Sequence, residues 1–361
     1  MKLIVQPGDG VDRLIKGIKK ARKSVEIVIF RFDRSEIERA LIDAVGRGVF
    51  VHALIAFTNR GGEEHLRQLE MRFLESGITV ARTAGDLVRY HGKMMIVDRK
   101  ELYLLSFNFT ELDIHRSRAF GIVTRNPKMV AEAGKLFDAD TKRQEYTATL
   151  GTFLVSPVNA RKELSAFIKG AEKQLLIYDV KISDRAILRL LQERRKAGVE
   201  IRIIGGVTGK KMPACELKRM RLHTRTIIRD GRDAFIGSQS MRQLELDARR
   251  EIGVIFRDSG ILKEMIRTFE EDWAASSEEM EKALPSRKPP KKVVKKVVKS
   301  VAKKIPLTAV AKKVAKAISR KADVDLNNKK IHQTVSAIVH DVVQEAAKSA
   351  AEEAVKVTAE S

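Results

Sequence analysis

A single cysteine, Cys215, in 361 residues leaves no internal disulfide framework and no cysteine-based zinc site, and it suits a reducing compartment. Long apolar runs are missing as well. None approaches the roughly 18 residues needed to cross a bilayer. The N-terminal MKLIVQPGDGV passes straight into a short strand-like run and a turn, without the apolar segment of a secretory signal. The expected location is cytoplasmic, with room for a peripheral place at a membrane or on the nucleoid. The third shortage is of acidic residues. Asp and Glu number 47 against 70 Lys and Arg, giving a net charge of +23 and a pI near 10.0. Such a balance selects polyanionic partners, nucleic acid or an anionic membrane surface, and composition does not choose between them. What is present in quantity is apolar: at 43% hydrophobic residues the chain can bury a sizeable core, in two domains or in one built twice.

An internal repeat decides for the second. KSVEIVIFRFDRSEIERALIDAVGRGVFVHALI, from Lys23, and KQLLIYDVKISDRAILRLLQERRKAGVEIRIIG, from Lys173, share the order apolar strand, acidic turn, amphipathic helix, glycine, apolar strand. Gly48 matches Gly198, 150 residues on. Further along, HGKMMIVD at His91 matches HTRTIIRD at His223, and LFDAD ending at Asp140 matches TFEED ending at Asp272, both at an offset of 132. The second copy has therefore lost 18 residues, most of the helical GGEEHLRQLEMRFLESGITV. The pattern predicts an α/β protein with a mixed β-sheet flanked by helices in each half, 1–146 and 151–284, related by a pseudo-twofold axis. Beyond them, 285–327 is a Lys-rich low-complexity tail whose prolines stop any long helix. Within 328–361, Ile331, Val335, Ile338, Val342 and Ala346 mark an amphipathic helix.

The matched blocks carry polar groups in one register. His91 and Lys93 stand two apart, Asp98 follows five residues later, and Ser106 and Asn108 come back eight and ten after the aspartate. In the second copy the same places hold His223, Arg225, Asp230, Ser238 and Ser240. On a strand, residues two apart share a face, so each histidine stands beside its own cation. Two such hairpins facing across the axis would gather two histidines, two cations and several neutral donors in one cleft. Phosphoryl transfer suits that set. One histidine attacks phosphorus, the other protonates the departing alkoxide, and the cations stabilise the nonbridging oxygens. Asp98 and Asp230 are expected beside the histidines, fixing their tautomers. No metal and no cofactor is called for.

These residues closely resemble the H-x-K-x4-D and G-S-x-N motifs of the phospholipase D superfamily, and the resemblance covers about 1–280. It implies a duplicated phospholipase D-like fold, His91 as nucleophile and His223 as general acid. It further implies phosphate binding by Lys93, Arg225, Ser106, Asn108, Ser238 and Ser240. The departures are specific. The first copy has Leu105 where the family prefers glycine and Ala119 where a glutamate often sits, while the second keeps Gly237 and Glu251. The second copy in turn has Arg225 for lysine and Ser240 for asparagine. Glu251 and Arg225 are expected to support the first half from across the cleft.

The other histidines, His52, His65, His115, His332 and His340, have no metal-site spacing and read as ordinary core or surface residues. The tail, KPPKKVVKKVVKSVAKK, resembles the tails of linker histones and can neutralise the phosphates of DNA or of an anionic membrane without reading sequence. Three functions stay open: phospholipid hydrolysis or phosphatidyl transfer, favoured because single-chain members with two motifs mostly act on phospholipids; a DNA or RNA nuclease; and a non-catalytic polyanion-binding protein. The duplicated chain supplies a complete cleft, so no oligomer is required.

Overall fold

The computed structural model describes residues 1–57, 63–83, 85, 88–209 and 212–282. The expectations for 285–327 and for the helix within 328–361 lie outside the described residues. Residues Met1–Met280 form one compact unit.

In its first half the elements run β1 (Lys2–Gln6), α1 (Asp12–Lys20), β2 (Ser24–Ile29), α2 (Ser35–Gly46), β3 (Phe50–Ile55), α3 (Glu63–Glu75), β4 (Thr79–Arg82) and β5 (Arg89–Tyr90). There follow β6 (Met94–Val97), β7 (Glu101–Leu105), α4 (Glu111–His115), β8 (Ser117–Thr124) and α5 (Pro127–Lys142). The second half runs β9 (Phe153–Val155), α6 (Ala160–Lys169), β10 (Gln174–Ile182), α7 (Arg185–Lys196), β11 (Glu200–Val207), β12 (Ala214–Cys215) and β13 (Arg221–Leu222). It closes with β14 (Arg225–Arg229), β15 (Asp233–Gly237), α8 (Gln243–Asp247), β16 (Arg249–Arg250), β17 (Ile252–Phe256) and α9 (Ser259–Lys282).

The two sheets have one topology. The first is ordered β1-β8-β7-β6-β2-β3-β4 and the second β9-β17-β15-β14-β10-β11-β12. Strands β2, β3 and β4 are parallel, as are β10, β11 and β12, while the hairpins β6–β7 and β14–β15 are antiparallel. The mixed sheets that the repeat predicts are thus present in both halves. The deletion also falls where the offsets place it: α3 separates β3 from β4, and no helix separates β11 from β12 among the described residues.

Local chemistry explains the repeated turns. Gly48 and Gly198 sit at φ of 82° and 91°, a left-handed conformation that glycine adopts without a Cβ penalty, and each turns a helix into the next parallel strand. Strand β6 is buried along its whole length, which is why MMIV reads as an unbroken apolar run. Met94, Leu104 and Phe120 of the first sheet join Tyr178 and Ile236 of the second and Phe269 of α9 in a shared core. The Leu105 departure has a packing reason: Leu105 pairs with Gly121 across β7–β8 and fills the space over it. In the second half Gly237 and Gly253 approach closely, and the Gln239 side chain occupies the equivalent space. No helix among the described residues is long and apolar enough to cross a membrane.

Candidate active site

Each half lends the other the backbone that fixes its histidine. Strand β5 pairs in parallel with β16, and the His91 N–H donates to the Arg250 carbonyl at 2.7 Å. Strand β13 pairs in parallel with β8, and the His223 N–H donates to the Arg118 carbonyl at 3.0 Å. Arg118 and Arg250 stand 132 residues apart, like the histidines. Their side chains are fixed from the opposite half too: Arg118 Nε donates to Asp272 at 2.6 Å and Arg250 Nη2 to Asp140 at 2.9 Å. Such buried pairs set register more than they add net stability, because desolvation offsets much of their Coulombic gain.

Around this frame the side chains converge. His91 Nδ1 lies 2.8 Å from Glu251 Oε2, a contact between halves. Phe30 packs edge-on against the His91 ring with centroids 4.6 Å apart. With Nδ1–H donated to the carboxylate, the Nε2 lone pair is the free one. The equivalent of Glu251 in the first half is Ala119, and a different carboxylate meets the other ring nitrogen of His223: Asp113 Oδ2 lies 3.5 Å from Nε2, leaving Nδ1 without a partner among the described residues. Lys93 Nζ donates to the His91 carbonyl at 2.6 Å, and Arg225 Nη1 donates to the His223 carbonyl at the same distance. An ammonium has three donors and a guanidinium five, so both cations keep donors for a ligand. His91 and His223 are 7% and 4% exposed, Lys93 is 1% and Glu251 0%.

Burial governs the protonation states. It pushes His91 well below the usual imidazole range, helped by the charges of Lys93 and Arg225. His223 is lowered in the same way, by burial first, with Asp113 pulling upward and Arg225 and Lys93 downward. Each cation therefore acts on both histidines. Lys93 is itself brought down to about 7, by burial and by Arg225, against the pull of Glu251. Glu251 is raised by burial, with Lys93 and a hydrogen bond from Ser238 acting the other way. Two buried histidines of lowered proton affinity thus sit with two cations out of contact with solvent.

Two expectations are corrected. Asp98 and Asp230 do not stand beside the histidines. Asp98 accepts backbone N–H groups from Arg22, Lys23 and Ser24 at 2.7 to 3.1 Å, and Asp230 does the same for Glu172, Lys173 and Gln174 at 2.7 to 3.2 Å. Both hold left-handed φ values, 53° and 54°, at the far end of the strand that the histidine precedes. They clamp the hairpin turn to the start of β2 or β10. The carboxylates that reach the histidines are Glu251 and Asp113 instead.

The neutral side chains hold parts of the frame with some of their hydrogen-bonding capacity. Ser106 Oγ accepts the Phe120 N–H at 3.0 Å, and Ser238 Oγ accepts the Ile252 N–H at 3.0 Å. Asn108 Nδ2 donates to Asp113 Oδ2 at 2.6 Å, and Ser240 Oγ donates to Asp179. They hold the groups around the histidines, and the accepting hydroxyls of Ser106 and Ser238 keep their own O–H donors, that of Ser238 for Glu251. Asp113, Arg118, Asp140 and Asp272 were missed by motif reading. The signal was available, since Asp113 and Glu245, Arg118 and Arg250, and Asp140 and Asp272 are all related by the offset of the histidines.

The model of a family described as cardiolipin synthase, PLD-like domain, matches residues 14–141 and 164–273. A mitochondrial cardiolipin hydrolase of Danio rerio is 29% identical over 118 residues, 33% of this chain and 51% of that protein. The chain thus spans about half the length of this curated relative. Polyphosphate kinase from Porphyromonas gingivalis superposes with a TM-score of 0.64 at 20% identity, over 75% of this chain and 50% of that one. Phosphatidylserine synthase from Haemophilus influenzae Rd KW20 gives 0.57 at 10% identity, over 75% of this chain and 85% of that one. At such identities the two structures speak for the fold alone.

Proposed function

The chain belongs to the cardiolipin synthase PLD-like domain family, within the phospholipase D superfamily, and from this premise we propose that it is a phospholipase D-type phosphodiesterase acting on phospholipid, by hydrolysis or by phosphatidyl transfer. One observation carries the reading: two buried histidines from two halves, each beside a carboxylate, have Lys93 and Arg225 bound at their own carbonyls. The lipid preference draws on the family's description and on the Danio rerio relative, a cardiolipin hydrolase.

The steps follow from the geometry. His91 Nε2 attacks phosphorus and the bond to the departing alkoxide breaks, while His223 passes its proton to that oxygen. Glu251 stabilises the positive charge that His91 acquires as a phosphohistidine. Lys93 and Arg225 take the nonbridging oxygens, whose charge grows in the transition state. In the second half-reaction His223 removes a proton from water or an alcohol, which attacks phosphorus and releases His91. The incoming phosphate anion raises the proton affinity of His223, which the free site keeps low.

The test uses the full chain with liposomes containing cardiolipin and, separately, with supercoiled plasmid, both in EDTA. The expected result is lipid turnover to phosphatidic acid or a transphosphatidylation product, reduced about 10³-fold or more in His91→Ala and His223→Ala. Plasmid cleavage with intact lipid would overturn the substrate. No turnover of any phosphodiester would overturn the reaction.

A further inference from the structure

Three positions that differ between the halves form one connected set. In the first half, Val28 of β2 pairs with Met94 of β6, so the same register carried one residue further sets Ile29 across from Lys93. In the second half, Tyr178 of β10 pairs with Thr226 of β14, and the same step sets Asp179 across from Arg225. The exchange of lysine for arginine is thus matched by an exchange of isoleucine for aspartate directly across the ladder. The third position is Ser240, where the first half has Asn108. Its hydroxyl donates to Asp179, whose carboxylate also accepts the Lys181 and Met241 N–H groups at 2.8 and 2.7 Å. Asp179 is 1% exposed. Burial raises its pKa, and the hydrogen bonds and the Arg225 charge act against that rise.

A buried carboxylate held by three donors, opposite a buried guanidinium that it meets through space and not by a direct hydrogen bond, is costly unless the two charges stabilise each other. The first half needs no such partner: Lys93 lies over the Phe30 ring, 5.2 Å from its centroid, with an apolar residue across the ladder. In general a guanidinium stays charged where a buried ammonium gives up its proton, and its planar fork binds phosphate only when its orientation is fixed.

We propose that Asp179, itself fixed by Ser240, is a positioning residue that orients Arg225 as the standing phosphate clamp of the cleft. The inference rests on the reading of the cleft as a phosphodiester site. It makes the two halves unequal by construction. Arginine at 225 works only with aspartate across the ladder, and lysine at that place works only with the first half's set of isoleucine and asparagine.

The experiment measures orthovanadate binding by calorimetry and turnover of bis(p-nitrophenyl) phosphate, on the full chain. Asp179→Asn is expected to weaken vanadate binding and raise KM by about tenfold, the scale of one nearby charge acting through space, with kcat within about threefold. Arg225→Lys alone is expected to lose at least as much. The triple variant Asp179→Ile, Arg225→Lys, Ser240→Asn rebuilds the first half's set and is expected to regain vanadate affinity to within about threefold of the wild type. That rescue also decides the matter if Asp179→Asn proves too unstable to assay. Unchanged vanadate affinity in Asp179→Asn, a triple variant no better than Arg225→Lys at equal melting temperature, or a wild type that binds no vanadate would each overturn the proposal. Absence of turnover with vanadate binding intact would instead strike the functional reading, and the vanadate series would still decide the role of Asp179.

Discussion

Glu251 holds His91 from the opposite half of the molecule: the carboxylate, wholly buried, lies 2.8 Å from Nδ1 and leaves Nε2 free. One half alone would have a histidine without its orienting acid. Glu251→Gln keeps the shape and removes the charge. We expect kcat to fall about 10²-fold or more with KM within a few-fold, measured on bis(p-nitrophenyl) phosphate, and the melting temperature to drop only slightly.

Asp113 is the carboxylate beside His223, at Nε2 and not at the Nδ1 that Glu251 holds on His91. Its removal should matter only where the leaving oxygen needs a proton. Asp113→Asn is therefore expected to slow an alkyl phosphodiester about 10²-fold and a p-nitrophenyl ester, which departs unaided, by only a few-fold. Equal losses on both substrates would show that Asp113 does not act through the acid step.

Asp98 and Asp230 make the opposite prediction. Backbone hydrogen bonds hold both carboxyls below the ordinary value although burial acts upward, so the stability they contribute is present at neutral pH and is lost as pH falls through their lowered pKa. Asp98→Ala should lower stability by about 2 kcal/mol in urea unfolding at pH 7 and leave kcat of the folded protein within about twofold. At a pH below that lowered pKa, the variant and the wild type should converge.

Lys93, at about 7 in the folded chain against an unfolded value near 10.5, binds fewer protons folded than unfolded between these limits. Its cost to the fold is complete below about pH 7 and is relieved as pH rises toward 10.5. Urea unfolding should therefore show the stability gap between Lys93→Met and the wild type narrowing by a few kcal/mol from pH 7 to pH 10. A constant gap would contradict the buried, proton-poor lysine.

Much of this was legible in the sequence for physical reasons. Duplication repeats the histidine and its cation at a fixed offset, so the paired motifs and the two mixed sheets could be read without coordinates, although His91 and Lys93 fall between β5 and β6 and not on a strand. Asp98 misled because sequence nearness was taken for spatial nearness. A strand rises about 3.3 Å per residue, so seven residues carry the aspartate roughly 20 Å from His91. Glu251 is expected from the sequence to support the first half, whereas Asp113 is harder to place, since it reaches His223 of the other half through the crossing pair of β13 with β8. Pairings between halves leave no local signature. Asp179 was hidden for a further reason: its partner is set by strand register, which only the ladder reveals.

The central claim is a covalent phosphoryl group on His91. In His223→Asn the first step with bis(p-nitrophenyl) phosphate needs no acid, while the second lacks its base, so the intermediate should accumulate. Acid-free quenching, proteolysis and mass spectrometry should find the peptide containing His91 heavier by one p-nitrophenyl phosphoryl group, and unmodified in the His91→Ala, His223→Asn double variant. An unmodified His91 peptide after turnover, or a label found on another residue, would contradict the account.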